Sequence, residues 1–198
     1  MQNSHIIGGE FGINLQGFQY AQSNNGFLEG IYKYSSGRSA LYYILLDVQK
    51  RYGITTAYLP NYLCSSVVVA AEKSQVKVVF YNLNDQLEID IEKFPLDDNE
   101  KAAVLLINYF GLKSLQLQVE LVRSISMEAI VIEDDVQAFY EFCKPELAAD
   151  YKFTSLRKTF ACPDGGLVKT AKQLTVVTEV NKFHQFKLAG CILKSLQI

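Results

Sequence analysis

Residues 129–138 read AIVIEDDVQA, a short apolar run that ends in three consecutive acidic side chains. Residues 102–109 read AAVLLINY, the almost wholly apolar pattern of a strand buried on both faces of a sheet. Between such runs lie segments whose apolar residues recur at helical spacing. This alternation predicts an α/β fold with a mostly parallel sheet covered by helices.

The first strong helix is predicted at residues 38–51, where Ser36 can cap the start and Gly53 can end the helix. Its expected buried stripe consists of Ala40, Leu41, Ile44, Leu45 and Val48. Further helices are predicted at residues 65–74 and 114–126, the second capped by Ser114. Strands are predicted at residues 54–59, 77–82, 102–109, 129–133, 151–154 and 166–169. We expect the tail from residue 172 to be helical, with Val176, Val180 and Phe183 on one side.

The bulk composition excludes several classes of protein. With 49% hydrophobic and 20% charged residues, the 198-residue chain can bury a sizeable core and is not disordered. A net charge of −2 without a basic stretch argues against a nucleic-acid partner. The start lacks a signal-peptide layout and no apolar run could span a membrane, so we expect a cytoplasmic protein. Four scattered cysteines and two histidines, His5 and His184, indicate reduced thiols and no metal site.

Three polar clusters follow predicted strands, at residues 60–62, 108–111 and 133–137, and a fourth at residues 35–39 starts the first helix. In open α/β sheets, ligands bind beyond the carboxyl ends of the strands. The convergence of these clusters is therefore the predicted site.

Asp134 and Lys158 are the minimum pair for holding pyridoxal 5'-phosphate (PLP). A carboxylate at a strand end can keep the pyridine nitrogen protonated, and a lysine amine can form a Schiff base with the aldehyde. An acid in this position can equally cap the following segment, and most lysines are simply exposed to solvent. Asp135 competes with Asp134, although strand alternation points the two in opposite directions.

The phosphate of such a cofactor has candidate ligands at the start of the first helix. Gly37, Arg38 and Ser39 can present backbone amides, a guanidinium group and a hydroxyl to an anion. Ordinary helix capping explains the same residues. Ser155, close to Lys158 in the chain, is a second phosphate candidate.

Two further residues can flank the ring of the cofactor. Tyr62 could stack on it, and Gln137 could contact the ring or its hydroxyl. In a chain with twelve tyrosines, Tyr62 could also be an ordinary core residue.

Taken together, these segments resemble the DegT/DnrJ/EryC1/StrS family of PLP-dependent sugar aminotransferases, which have the aspartate-aminotransferase fold. Residues 36–41 (SGRSAL) resemble the family's SGTxAL, residues 60–62 (PNY) its P-x-[YF], and residues 108–111 (NYFG) its HxxG-type turn. Residues 133–138 (EDDVQA) resemble EDxxQA, and Lys158 with residues 163–166 (PDGG) resembles the lysine followed by GEGG. The motifs occur in the family's order over about residues 35–170.

The resemblance implies a three-layer α/β/α sandwich of the PLP-transferase large-domain type, whose mostly parallel sheet contains one antiparallel strand. It implies that Asp134 binds the pyridine nitrogen, that Gln137 contacts the ring and that Lys158 forms the Schiff base and shuttles a proton. Gly37, Arg38 and Ser155 would lie near the phosphate. The implied reaction transfers an amino group from an amino-acid donor to a nucleotide-linked keto sugar for polysaccharide or lipopolysaccharide synthesis, in a homodimer.

The chain also departs from the family pattern. Arg38 replaces a small residue, Ser155 lies three residues before Lys158 instead of five, and family members continue into a C-terminal small domain. We therefore expect an N-terminal segment at residues 1–34, a PLP-binding large domain at 35–172 and a helical tail at 173–198, with the small domain absent. The alternatives are a non-catalytic relative that keeps the fold, or an unrelated nucleotide binder, although the chain lacks the glycine fingerprint of the latter.

Overall fold

The computed structural model describes residues 30–175 together with residues 186, 189 and 190. One seven-stranded sheet organises them. Its strands are β1 (Tyr32–Tyr34), β2 (Thr56–Pro60), β3 (Lys77–Tyr81), β4 (Ala103–Ile107), β5 (Ile130–Asp134), β6 (Tyr151–Ser155) and β7 (Gly166–Lys169).

The strand order is β1-β7-β6-β5-β4-β2-β3. Strand β7 runs antiparallel to both of its neighbours, β1 and β6. All the other neighbouring pairs are parallel. The sheet is therefore parallel except for one strand, which confirms the predicted fold class.

Helices cover both faces of the sheet. They are α1 (Gly37–Tyr52), α2 (Ser65–Ser74), α3 (Gln116–Ile125) and the short α4 (Phe139–Cys143). On one face, Leu41 and Ile44 of α1 belong to the same buried cluster as Leu105 and Ile132 of the sheet. On the other face, α3 packs against the strand residues whose side chains point away from α1. This arrangement gives the three layers. None of the described helices is both long and apolar enough to cross a membrane.

Helix α1 brings the amino end of its backbone to the carboxyl edge of the sheet. The Ser36 hydroxyl accepts a hydrogen bond from the Ser39 amide (3.1 Å), and Gly53 ends the helix at φ +69°. All five residues of the predicted stripe are buried. Both caps and the core-facing side of this helix thus match the prediction. Gly53 suits the C-cap because glycine adopts the left-handed conformation without strain.

Several predicted elements differ from the structure. Leu115, not Ser114, occupies the N-cap of α3, and the Ser114 hydroxyl instead accepts from the Gln116 amide (3.3 Å). Strand β1 and helix α4 were not predicted. The predicted helical pattern of Val176, Val180 and Phe183 lies outside the described residues.

Candidate functional site

A cavity of about 810 Å³ opens at the carboxyl ends of β2, β4, β5 and β6, beside the amino end of α1. It contains side chains from all four predicted polar clusters. Ligand pockets in proteins commonly have volumes of about 300–1,000 Å³. The cavity is therefore large enough for a small-molecule ligand.

Asp134 is the last residue of β5 and lines this cavity. Its side chain is only 6% exposed, and its Oδ1 atom accepts a hydrogen bond from the Val136 amide (2.9 Å). Burial raises the pKa of Asp134 to about 7, although the Val136 hydrogen bond opposes this rise. A buried carboxyl with a raised pKa is ready to pair with a cationic group of a ligand.

Asp135 lies apart from the cavity, as strand alternation predicts. Lys152 of β6 approaches it at 4.0 Å and forms an ion pair with Glu133 at 3.2 Å. Burial, followed by the nearby Glu133 charge, raises the pKa of Asp135 to about 8. Of the two adjacent acids, Asp134 is the one available to a ligand in the cavity.

Lys158 lines the same cavity as Asp134. It ends the short 3₁₀ turn Leu156–Lys158 that directly follows β6, and its side chain is exposed. The turn is connected to the start of α1 through Gly165, whose carbonyl accepts from the Leu156 amide (2.9 Å) and whose amide donates to the Ser35 carbonyl (3.1 Å). These bonds hold the lysine turn near the amino end of α1.

Two glycines allow the amino end of α1 to approach the sheet closely. A Cβ atom on Gly37 would lie 3.1 Å from Ser155 Cβ and 3.3 Å from a methyl carbon of Val136. A Cβ atom on Gly166 would lie only 2.2 Å from the Ser36 carbonyl oxygen. The helix end can therefore lie directly against Ser155, which also lines the cavity.

The first turn of α1 contains no acidic residue, and both Gly37 and Arg38 line the cavity. Free amides and the helix dipole favour anions at such a position. Ser39 is placed differently, since it is not among the described residues that line the cavity. Its hydroxyl forms hydrogen bonds with the hydroxyls of Ser35 and Ser36, each at 3.0 Å. The structure thus brings two of these three phosphate candidates to the cavity.

Tyr62 and Gln137 both line the cavity and are exposed. The ring of Tyr62 stacks on Tyr109, with ring centroids 5.7 Å apart and planes inclined at 27°. The Tyr109 hydroxyl donates a hydrogen bond to the Tyr62 carbonyl oxygen. Tyr62 is therefore a wall residue of the cavity with an aromatic partner of its own.

Sequence reasoning did not single out Cys64 as a site residue. This thiol follows Tyr62 closely, lines the cavity and occupies the N-cap position of α2. Hydrogen bonds from Ser66 lower its pKa, and the charge of Lys158 adds a smaller effect. The position of Cys64 soon after a predicted strand could have indicated a site residue, but cysteines occur in many structural positions. Within residues 30–175, no group of three potential metal ligands is placed to hold an ion.

Comparison with solved structures identifies proteins of the same fold. A DegT/DnrJ/EryC1/StrS aminotransferase from Brucella abortus is 15% identical, with a TM-score of 0.54 over 75% of this chain and 44% of that chain. NtdA from Bacillus subtilis with bound PMP is 21% identical, with a TM-score of 0.58 over 75% and 35%. GDP-4-keto-6-deoxy-D-mannose-3-dehydratase from E. coli with bound hydrated PLP is 16% identical, with a TM-score of 0.56 over 75% and 41%.

No protein-family model matches the chain, and no curated protein sequence matches it. The chain spans less than half the length of these three solved proteins. At such identities the likeness establishes a shared fold. The predicted resemblance is thereby confirmed at the level of the fold, which this chain shares with aminotransferases of the DegT/DnrJ/EryC1/StrS type and with related PLP enzymes.

Proposed function

We propose that this protein binds PLP in the cavity between Asp134 and Lys158 and acts as an aminotransferase. The observation that carries the proposal is that an acid from the end of β5 and an amine from the turn after β6 line one cavity. These residues lie 24 positions apart in the sequence, whose pattern predicts this pairing. When bound, PLP supplies an electron sink that stabilises negative charge on the substrate carbon.

The residues present fit this cofactor. The carboxyl of Asp134 is buried, keeps a raised pKa and has one oxygen engaged by a backbone amide, which suits a partner that carries a positive ring nitrogen. Gly37, Arg38 and Ser155 form an amide-rich, cationic end where a phosphate would bind. Lys158 lines the same cavity, and its amine would bind the aldehyde of the cofactor and move a proton at the substrate carbon.

The resemblance to sugar aminotransferases and the activities of proteins with the same fold support a more specific substrate class. We infer an amino-acid donor and a nucleotide-linked keto sugar as substrates, for polysaccharide or lipopolysaccharide synthesis in the cytoplasm. One neighbour is a dehydratase of a GDP-linked keto sugar, which supports this substrate class. We further infer a homodimer, with residues 35–172 as the PLP-binding large domain, preceded by the segment 1–34 and followed by the tail 173–198.

The test is a titration of the purified protein with PLP, followed by visible absorbance of the Schiff base. We expect a saturable band that is absent in Lys158→Ala and changed in position or intensity in Asp134→Asn. Lys73→Ala is the matched control, because Lys73 is an exposed lysine in the last turn of α2 and outside the cavity lining. A colourless protein after PLP addition, or an equal band in Lys158→Ala, would refute the proposal.

A second candidate function is PLP binding without turnover. It is favoured by the exposure of Lys158, since amines used in catalysis are commonly desolvated. Incubation of the PLP-loaded protein with glutamate discriminates the two. Conversion of PLP to pyridoxamine 5'-phosphate, measured by chromatography, supports the aminotransferase, and a stable visible band with no conversion for a panel of amino acids supports the binding protein.

A further inference from the structure

Three ionisable side chains are buried together behind Asp134, on the side of the sheet that faces away from the cavity. They are Glu133, Asp135 and Lys152, which are 3%, 0% and 6% exposed. None of the three is among the described residues that line the cavity. Charged side chains are seldom buried completely unless they are paired, and the proposed chemistry uses none of these. A role for this cluster must therefore lie outside direct contact with a cofactor or substrate.

Lys152 bridges the residues on either side of Asp134. Its Nζ atom lies 3.2 Å from Glu133 Oε2 and 4.0 Å from Asp135 Oδ2. Lys152 belongs to β6 and is the register partner of Glu133 in β5. One ammonium group from the neighbouring strand therefore holds the two acids that flank Asp134 in the sequence.

Backbone hydrogen bonds continue the contact with β6 beyond the last residue of β5. The Asp135 amide donates to the Phe153 carbonyl (2.9 Å), and the Asp135 carbonyl accepts from the Thr154 hydroxyl (2.9 Å). Successive side chains along a strand point to opposite faces. Holding Glu133 and Asp135 behind the sheet therefore directs Asp134 to the cavity.

The amino-acid pattern of β5 does not by itself determine which acid faces the cavity. Residues 129–132 (AIVI) are all apolar and give the strand no polar alternation, and residues 133–135 (EDD) are all acidic. A slip of one residue would move every side chain to the other face and put Glu133 or Asp135 in the cavity. It would also leave Lys152 beside a single acid, Asp134. The contact of Lys152 with two acids therefore favours the observed register.

The buried ion pair is better explained by geometry than by stability. Charges lose their hydration when they are buried, so apolar residues in the same places commonly stabilise a protein as well or better. A buried pair can, however, select one arrangement among several similar ones. Neither side-chain oxygen of Asp135 has a hydrogen-bond partner within the described part of the chain, and Lys152 is the cation that approaches it.

We propose that Lys152 is a positioning residue, which holds Glu133 and Asp135 behind the sheet and so directs the Asp134 carboxyl into the cavity. It acts through the backbone of β5 and does not touch a ligand. The inference rests on the proposed function only in that Asp134 is the acid offered to the cofactor. The positioning itself is a property of the protein without PLP and can be measured in that state.

The test replaces both buried charges with neutral side chains of similar size, in the double variant Glu133→Gln with Lys152→Met. Lys152→Met alone leaves buried acids without their cation, so it is expected to be much less stable than the double variant. The Asp134 side chain is titrated by NMR of its carboxyl carbon in the protein without PLP, and its signal is assigned by its loss in Asp134→Asn.

We expect the pKa of Asp134 to be about 7 in the wild type and to fall towards its ordinary value of 3.8 in the double variant. A carboxyl that is no longer held in the interior regains contact with water, which favours its ionised form. Burial is the cause of the raised pKa, and neither Glu133 nor Lys152 contributes to it. A change in this pKa therefore reports the position of Asp134 and not the loss of a nearby charge.

Lys101→Met with Glu128→Gln is the matched control, because these two residues form an exposed ion pair (3.8 Å) near the amino ends of β4 and β5. The pKa of Asp134 in this control should equal that of the wild type. A folded Glu133→Gln, Lys152→Met variant with the wild-type Asp134 pKa overturns the inference, since a merely structural role for Lys152 gives that result. A double variant that does not fold also overturns it, because the pair would then be required for stability.

PLP uptake is measured separately on the same proteins. If the proposed function and the positioning role both hold, the double variant binds PLP more weakly than the wild type. A fall in the Asp134 pKa together with no PLP uptake by the wild type contradicts the proposed function and supports the positioning role. Normal PLP uptake with an unchanged Asp134 pKa contradicts the positioning role and leaves the proposed function intact.

Discussion

Replacing Asp134 with asparagine tests whether burial raises the pKa of this carboxyl in the protein without its ligand. In the protein without PLP, burial raises its pKa from 3.8 to about 7. The folded protein then binds more protons than the unfolded chain between about pH 4 and pH 7. The contribution of Asp134 to the free energy of unfolding therefore falls as the pH rises through this window.

The magnitude follows from the pKa values. At about 1.36 kcal/mol for each pKa unit, the rise to about 7 corresponds to about 4 kcal/mol of stability lost between pH 4 and pH 8. The asparagine amide in the variant does not titrate, so the unfolding free energy of the wild type minus that of Asp134→Asn should decrease by about 4 kcal/mol over this range. Groups shared by both proteins cancel in the difference.

The assay is urea unfolding of both proteins at half-unit steps from pH 4 to pH 8.5. Asp98→Asn is the control, since Asp98 is exposed and its replacement should give a nearly constant difference. Saturating PLP should remove the loss in the wild type, because a protonated ring nitrogen beside Asp134 lowers the pKa of the carboxyl. Parallel pH profiles for wild type and Asp134→Asn, without PLP, would show that the pKa of Asp134 is not raised in the folded protein.

The other predictions concern a structural acid, a thiol and a glycine. Asp47 is buried and accepts four hydrogen bonds, which lower its pKa against the opposing effect of burial. Asp47→Asn should therefore lower the free energy of unfolding, measured in urea, by roughly 2–4 kcal/mol at pH 7 and by less at pH 4. An effect that grows as the pH falls would contradict this prediction. Cys64 should react with iodoacetamide faster than Cys143, because hydrogen bonds lower the pKa of Cys64 and burial raises that of Cys143. Bound PLP should slow the reaction of Cys64. Equal labelling rates of the two thiols, measured by mass spectrometry, would disprove the prediction. Gly166→Ala should lower the unfolding free energy by about 1–3 kcal/mol, because the added Cβ atom would collide with the Ser36 carbonyl. A variant as stable as the wild type would contradict the close approach of the two backbones.

The sequence was most informative about long elements with a clear period. Helix α1 was predicted with both caps, because five apolar residues mark one face and the helix is flanked by Ser36 and Gly53, which are residue types suited to an N-cap and a C-cap. Strand β1 and helix α4 were missed, since three and five residues are too few to establish a period. Strand β1 pairs with the antiparallel β7, and this pairing depends on residues far away in the chain.

The candidate site was predictable in its chemistry and less so in its geometry. Strand alternation predicts that Asp134 and Asp135 point in opposite directions, and the resemblance of residues 133–138 to EDxxQA favours Asp134 as the site residue. Ser39 could not be excluded, because a serine in the first turn of a helix can bond either a ligand or its neighbours, and here Ser35 and Ser36 are its partners. The stacking of Tyr62 on Tyr109 joins two strands that only the sheet order makes adjacent.

The most direct measurement locates the amine that binds the cofactor. The PLP-saturated protein is reduced with borohydride, which makes the Schiff base permanent, and the digest is mapped by mass spectrometry. We expect one pyridoxyl group for each chain, on Lys158. Label spread over exposed lysines such as Lys73, with Lys158 unmodified, would contradict it.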